Sequence, residues 1–182
     1  MIKNTFFSLL LLSSTLFAQD GQWLIGLDVG GTGTNITQND TSISEDKKAL
    51  SYGAKVGFQE GSARIFLAYN HADETTATDY TLASDSVYVQ LDGFGEDFKV
   101  IGNATARFFL GAHVGAYIPD LALTGSENVT STALMGGAQG GIIFLLPAKL
   151  EIELAYRHMW TSLENDITIN AGTAYTALNF KF

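Results

Sequence analysis

The chain has 182 residues, enough for one domain, and combines 46% hydrophobic residues with 19 glycines and no cysteine. Its formal net charge of −9 argues against nucleic-acid binding, and the lack of cysteine excludes disulfides as a source of stability. With no cysteine and three scattered histidines, neither a zinc site nor any other cofactor is expected.

Residues 1–18 are predicted to be a secretory signal peptide. Lys3 supplies a positive start, residues 5–17 are mostly Phe and Leu, and cleavage is expected after Ala18. The apolar run is shorter than the roughly 20 residues that a spanning helix needs, and no later segment approaches that length. The mature chain, residues 19–182, is therefore expected either to be soluble and exported or to cross a membrane as a barrel.

Eight later segments alternate between apolar and polar residues with the period of two that a β-strand has. In the last one, Leu178, Phe180 and Phe182 share one parity, and Asn179 and Lys181 share the other. An even number of strands is what single-chain bacterial barrels require. In chain order the segments are 23–30, 51–59, 64–70, 87–92, 107–118, 133–144, 150–160 and 175–182.

The connectors between these segments alternate in length. Those at 59–63, 93–106 and 145–149 are short or middling, whereas longer polar stretches occupy 31–48, 71–84, 119–131 and 161–173. This pattern predicts tight turns at a periplasmic end and loops at an outer end. Because each unpaired amide in hydrocarbon costs several kcal/mol, the eighth strand should pair with the first. The sequence thus predicts an all-β, eight-stranded antiparallel up-and-down transmembrane β-barrel.

Aromatic residues of the apolar parity lie near the ends of the predicted strands. Amphipathic rings favour the headgroup level at both faces of a membrane, so these residues are expected to form an aromatic girdle. They are Trp23, Tyr52, Tyr69, Tyr156 and Trp160.

Four motifs carry a resemblance to a known family: residues 21–30 (GQWLIGLDVG), 109–117 (FLGAHVGAY), 154–157 (LAYR) and 179–182 (NFKF). Over residues 19–182 the chain resembles the OmpA-type eight-stranded outer-membrane barrels, which include OmpX- and Ail-like surface proteins. The resemblance implies the outer membrane of a Gram-negative bacterium. It also implies that Phe182 is part of the signal read by the barrel-assembly machinery. Because the chain ends at the barrel, no peptidoglycan-binding domain is expected.

The polar positions of the alternating strands include charged residues of both signs, and these residues are expected to face the lumen. An eight-stranded barrel is just wide enough for side chains to fill it, and isolated buried charges are costly, so these groups should pair into a plug. The alternative is a narrow path for ions or small solutes, to which inward glycines could contribute. The residues are Asp28, Lys55, Arg64, Asp92, Arg107, Glu151, Glu153, Arg157 and Lys181, with His113 beside them.

No catalytic constellation is expected, so the chain is not predicted to be an enzyme. His158 has the apolar parity, with Trp160 where a nucleophile would be sought, and no inward serine is placed to pair with His113. The sequence between 30 and 34 lacks the lysine and the strand–helix context of a phosphate loop.

The predicted outer loops are strongly acidic. Simple solvation explains such charges, but divalent cations could also bridge them to lipopolysaccharide phosphates, or a basic surface partner could bind them. The acidic residues are Asp40, Glu45, Asp46, Asp73, Glu74, Asp79, Asp120, Glu127, Glu164 and Asp166, against Lys47 and Lys48.

The leading functional hypothesis is an integral outer-membrane barrel with a structural or surface-interaction role. Its expected partners are outer-membrane lipid and lipopolysaccharide, and the barrel-assembly machinery during biogenesis. A narrow channel is one alternative. The other is a soluble lipocalin-like barrel, in which the apolar parity would point inward around a ligand.

Overall fold

A computed structural model describes residues 21–38, 41–42, 48–78, 80–100, 104–123, 130–163 and 167–182. The predicted signal peptide lies outside these residues. Within them, no helix combines the length and the apolar character needed to cross a membrane. Eight long strands make up the structure: β1 Gln22–Gln38, β2 Lys48–Glu60, β3 Ala63–Thr76, β4 Tyr80–Phe94, β5 Thr105–Leu123, β6 Ala133–Leu145, β7 Leu150–Ser162 and β8 Ile167–Lys181.

The sheet closes on itself. Each long strand pairs antiparallel with the next one in the chain, and β8 pairs back onto β1 from Leu24↔Lys181 to Gln38↔Ile167. Two short strands, Thr41–Ser42 and Phe98–Lys99, add to β1 and β5, and a 3-10 turn at Pro147–Lys149 joins β6 to β7. Closure leaves no free edge along the eight long strands, and the predicted up-and-down barrel is confirmed.

The two faces of the wall are distributed as the alternation predicts. The apolar parity points outward and stays exposed, as at Leu27 (65%), Leu110 (73%) and Leu134 (76%). A continuous apolar belt of this kind is not tolerated by a soluble monomer, so this part of the wall faces lipid. A soluble lipocalin-like barrel, with the apolar parity inward, does not fit this arrangement.

The strands are longer than the sequence predicts. They run to 13 residues in β2 and 19 in β5, whereas about 9–11 residues suffice to cross a membrane. β1 begins and β8 ends at the same end of the barrel, which we call the terminal end. We call the opposite end the loop end. In every strand except β6, most of the extra length lies toward the loop end.

The predicted alternation of short and long connectors is wrong. Much of each predicted long loop belongs to strands, so that only residues 77–79 separate β3 from β4 and only 163–166 separate β7 from β8. The terminal-end connector over 95–104 is longer than either. Where these polar stretches are described and form strands, they lie beyond the membrane, because their outward residues carry no apolar belt.

The polarity of the two faces inverts along the strands. On β8, Phe180 is exposed and Asn179 buried near the terminal end, whereas Ile167 and Ile169 are fully buried near the loop end and Asn170 lies on the outer face. The loop end therefore packs like a soluble barrel, with apolar side chains inside. We call this cluster the apolar cap; its members are Ile36, Tyr80, Leu82, Tyr117, Leu121, Met135, Leu163, Ile167 and Ile169.

Candidate functional site

The lumen between the terminal end and the apolar cap is charged, and Arg64 lies at its centre. Its Nε donates to Asp92 Oδ2 over 2.6 Å and its Nη2 to Glu153 Oε2 over 2.8 Å. Glu153 Oε2 also accepts a 3.2 Å hydrogen bond from Lys55. Because β2, β3, β4 and β7 each contribute one of these inward residues, the ion pairs join separate parts of the wall.

Glu151 forms ion pairs with the basic side chains near the terminal end. Its Oε1 lies 2.8 Å from Arg107 Nη2 and 2.6 Å from Lys181 Nζ, and its Oε2 lies 3.7 Å from Arg64 Nη1. These side chains are almost wholly buried, apart from the tips of Arg107 and Lys181. We call the whole set the lower network: Lys55, Arg64, Asp92, Arg107, Glu151, Glu153 and Lys181.

Neutral side chains donate further hydrogen bonds to the lower network. Gln90 and Gln139 donate to the two oxygens of Asp92 over 2.7 and 2.6 Å. Tyr175 and Asn179 donate to Glu153 over 2.7 and 3.2 Å. Gln90 and Tyr175 are not among the predicted lumen residues, although their positions on the inward parity of β4 and β8 indicate that they face the lumen.

Aromatic rings close the space around the central guanidinium. The Arg64 Cζ lies 4.9 Å from the ring centre of Phe66, 5.0 Å from that of Phe109 and 5.2 Å from that of Phe94. Phe94 also lies 3.9 Å from the Arg107 Cζ. Such contacts attract cations to ring faces and exclude water.

The inward glycines make room for these rings. Gly57 lies opposite Phe66 in the β2–β3 register, and Gly115 lies opposite Tyr88 in the β4–β5 register. A Cβ at Gly57 would collide with the Phe66 ring, and one at Gly115 would collide with Tyr88. Small residues facing large ones is the ordinary way in which a narrow barrel is filled.

Asp28, His113 and Arg157 stand apart from the lower network. Among the described residues, none of the three forms an ion pair within 4.0 Å. Asp28 accepts a 3.2 Å hydrogen bond from Asn70, and the Arg157 Cζ lies 5.0 Å from the ring centre of Tyr88. His113 packs against the same tyrosine ring at 5.2 Å.

A polar cavity of about 40 Å³ lies between the lower network and the apolar cap. We call it the chamber. Tyr117 and Met135 of the cap line it on one side, and Arg157 and His113 line it on the other. From the terminal end, the lumen thus contains a charged network, a small polar chamber and an apolar cap. The described residues include no cluster of metal-ligating side chains.

The predicted girdle residues all lie on the outer wall, 45–54% exposed. Trp23 is at the terminal end, whereas Tyr52, Tyr69 and Trp160 lie toward the loop end. Tyr156 is mid-strand, but its hydroxyl reaches over Gly172, nearer the loop end.

A hydrogen-bonded cluster sits on the outer wall just beyond the belt. The Tyr69 hydroxyl donates to Asp85 Oδ1 over 2.6 Å, and His71 Nδ1 lies 2.9 Å from the same oxygen. Asp85 lies outside the membrane-spanning part of β4. The hydrogen bond from Tyr69 has the largest effect on the pKa of the Asp85 carboxyl and lowers it, and the hydrogen bond with His71 lowers it further. His71 Nε2 is also 3.4 Å from Asp73.

The remaining predicted residues are placed as follows. Phe182 is exposed, and its backbone N–H donates to the Trp23 carbonyl over 2.9 Å. His158 lies on the outer wall, 6.1 Å from the Trp160 ring. Asp73 and Glu74 lie on β3, Asp120 on β5 and Lys48 on β2, so they belong to strands and not to loops. The residues outside the described ranges are Asp40, Glu45, Asp46, Lys47, Asp79, Glu127, Glu164 and Asp166.

Solved structures share this architecture. Neisserial surface protein A is 15% identical over 90% of this chain and 100% of its own, with a TM-score of 0.67. Outer membrane protein H from P. aeruginosa is 20% identical over 88% and 99%, with a TM-score of 0.56. The outer membrane protein AlkL is 10% identical over 90% and 91%, with a TM-score of 0.51. The fold is that of a small outer-membrane β-barrel.

No protein-family model matches the chain, and no curated protein matches it. At these identities the similarity to solved structures concerns the fold. The apolar belt adds an independent argument, because a closed barrel with an apolar outer band is the architecture of proteins that span the bacterial outer membrane. Together they place the chain in the outer membrane of a Gram-negative bacterium.

Proposed function

We propose that the chain is a non-enzymatic barrel that strengthens the outer membrane and presents an acidic rim, and that it does not conduct solutes. The observation that carries the proposal is the succession of layers in the lumen. Arg64, Glu151 and Glu153 are almost completely buried in a paired network, and apolar side chains fill the other end. An open path would have to disrupt both layers.

Conductance in planar lipid bilayers tests the closed lumen. The wild-type barrel is expected to show no stable open events. The channel alternative predicts open events whose size changes in Glu153→Ala or Arg157→Ala, while Glu74→Gln, an exposed change on the same barrel, leaves them as they are. Such events would overturn the closed lumen.

The acidic rim supports a surface role at the loop end. Asp73, Glu74 and Asp120 lie on the parts of the strands that extend beyond the belt, and Lys48 is a basic residue nearby. Carboxylates are hard oxygen ligands, so divalent cations would bridge them to the phosphates of lipopolysaccharide, the partner we propose. At the other end, Glu96 and Asp97 are exposed acids that face away from the rim.

Binding to lipopolysaccharide tests the rim. Barrels in phospholipid vesicles should bind added lipopolysaccharide more strongly with Ca²⁺ than with a chelator. The triple variant Asp73→Asn, Glu74→Gln, Asp120→Asn should lose much of that difference, while Glu96→Gln with Asp97→Asn should keep it. Equal binding by both variants would mean that solvation alone explains the rim charges.

We also propose that Phe182 acts in assembly. The exposed ring lies at the end of β8, which closes the barrel on β1, and this position supports recognition of the ring before closure. Phe182→Ala should lower the folded fraction in cells, measured by heat-modifiable gel mobility. Phe180→Ala is the matched control, because that ring shares the outer face and stacks 6.4 Å away. Equal losses in both variants would remove the special role of Phe182.

A further inference from the structure

The chamber contains buried hydrogen-bond donors that no described side chain satisfies. Arg157 is 5% exposed, and its Nε and Nη2 have no hydrogen-bond partner among the described residues. The Tyr88 hydroxyl, on a side chain that is 2% exposed, is likewise unpartnered within the described part of the chain. Leaving such buried groups unsatisfied destabilises the folded state, and more so for a charged group. A hydrogen-bond acceptor bound in the chamber would satisfy these donors.

The charge of the lumen points to the same need. The inward-facing ionisable groups are five cations and four carboxylates when His113 is neutral, so one positive charge is in excess. The three carboxylates of the lower network engage Lys55, Arg64, Arg107 and Lys181. The fourth, Asp28, interacts electrostatically with Arg157, but no carboxylate lies within 4.0 Å of Arg157 in the described structure. A buried charge without such a partner is costly.

The environment of Arg157 is suited to an anion. The Arg157 Cζ lies 5.0 Å from the ring centre of Tyr88 and 4.6 Å from that of Tyr175, and Arg157 itself lines the chamber. Thr32 and Thr173 also line the chamber and are joined by a 2.8 Å hydrogen bond. Hydroxyl, guanidinium and phenol groups are all donors to an anion.

The size of the chamber limits its occupant. A volume of about 40 Å³ holds roughly three water-sized particles and has no room for a phosphate-bearing headgroup. A second cavity of about 10 Å³ shares Thr32, Thr34, Ala72 and Ser84 with the chamber. This cavity adjoins the irregular pairing of β3 and β4 between Ala72 and Thr75.

We propose that the chamber binds one small monovalent anion of halide size, held by Arg157 and Tyr88. The anion balances the charge of the lumen and completes the hydrogen bonding between the lower network and the apolar cap. This site goes beyond the proposed surface role and does not depend on lipopolysaccharide binding.

Bromide locates the site directly. Crystals of the whole barrel grown in sodium bromide should show an anomalous-scattering peak next to Arg157 Nε and the Tyr88 hydroxyl. Crystals grown in sodium gluconate, whose anion contains no bromine and is too large for the chamber, give the background against which the peak is judged. Bromide found only on the outer surface, with water in the chamber, would overturn the proposal.

Stability in solution gives a second readout, at equal ionic strength. Chloride in place of gluconate should lower the unfolding equilibrium constant of the wild-type barrel, by about 100-fold when its concentration is 100 times its Kd. Arg157→Met should lose this chloride effect, and Lys149→Gln, an exposed change in the β6–β7 turn, should keep it. The wild-type comparison stands even if Arg157→Met does not fold. No chloride effect in wild type, or an equal effect in Arg157→Met, would contradict the site.

Discussion

Arg64 and Glu153 are 89 residues apart in the chain, yet Arg64 Nη2 donates a 2.8 Å hydrogen bond to Glu153 Oε2 inside the barrel. The two residues lie on β3 and β7, strands that are not neighbours, so the bond crosses the lumen. Both side chains are completely buried. The contact therefore ties opposite walls together, and removing one partner leaves the other as a buried uncompensated charge.

Arg64→Met should destabilise the barrel by about 3–5 kcal/mol, because Asp92 and Glu153 both lose their guanidinium partner. The measurement is the free energy of unfolding from urea titration in lipid vesicles. Lys149→Met removes an exposed cation from the β6–β7 turn and should change that free energy little. A loss below about 1 kcal/mol in Arg64→Met would show that the network contributes little to stability.

Leu121→Ala tests whether the apolar cap is a packed core. Leu121 is fully buried in the cap, so its truncation should cost about 2–5 kcal/mol of unfolding free energy. Its neighbour Asp120 points outward and is exposed, and Asp120→Ala should change the free energy by no more than about 0.5 kcal/mol. Similar values for the two variants would mean that the loop end of the lumen is not tightly packed.

Tyr69→Phe should raise the pKa of Asp85, because the hydrogen bond from the Tyr69 hydroxyl is the main cause of the lowered pKa of that carboxyl. A carboxyl with a lowered pKa in the folded state adds stability above its unfolded pKa, and this stability is lost as pH falls through the folded value. Carboxyl-carbon NMR shifts of Asp85 in micelles, followed against pH, measure the change. Tyr52→Phe is the control: the Tyr52 ring packs against the His71 ring in a tilted arrangement with centres 5.1 Å apart, and the Tyr52 hydroxyl is not among the groups that lower the pKa of Asp85. An unchanged Asp85 pKa in Tyr69→Phe would rule out the hydrogen bond.

Ala148→Gly should stabilise the β6–β7 turn. Ala148 has φ 61° and ψ 30°, a left-handed conformation that costs a residue with a Cβ about 1–2 kcal/mol. Glycine removes this cost but adds freedom to the unfolded chain, so the expected net gain is roughly 0.5–1 kcal/mol in urea titration. The same substitution at Ala138, inside β6, should instead destabilise by about 0.5–1 kcal/mol. A loss at Ala148 would contradict the left-handed turn.

The sequence predicted the membrane-spanning wall because its signal is local. Alternation with period two assigned Leu178 and Phe180 to the outer face and Asn179 to the lumen, as the structure has them. The requirement that no strand edge be left in hydrocarbon then predicted the pairing of β8 with β1. Both inferences need only the order of residues and the solvent outside.

The apolar cap is not predicted by the sequence pattern, for a related reason. Ile167 and Ile169 alternate with Thr168 and Asn170 as a strand would, but with apolar residues on the parity that carries Asn179 further along β8. Where a strand extends beyond the membrane, its outward side chains become polar because water replaces lipid, and its apolar side chains then point into the lumen. Small residues separate the two alternating patterns of β8, so the sequence predicts a loop where the strand in fact continues.

The sequence by itself determined which side chains share a face and which medium each face meets, since both follow from periodicity and residue polarity. Only the tertiary structure decided which inward groups meet. Closure of the barrel and the stagger of its strands bring Arg64 to Glu153 and Glu151 to Lys181, and leave Arg157 beside a chamber without a carboxylate within 4.0 Å in the described structure. Those partnerships depend on positions across the lumen, and the spacing of residues along one strand does not contain them.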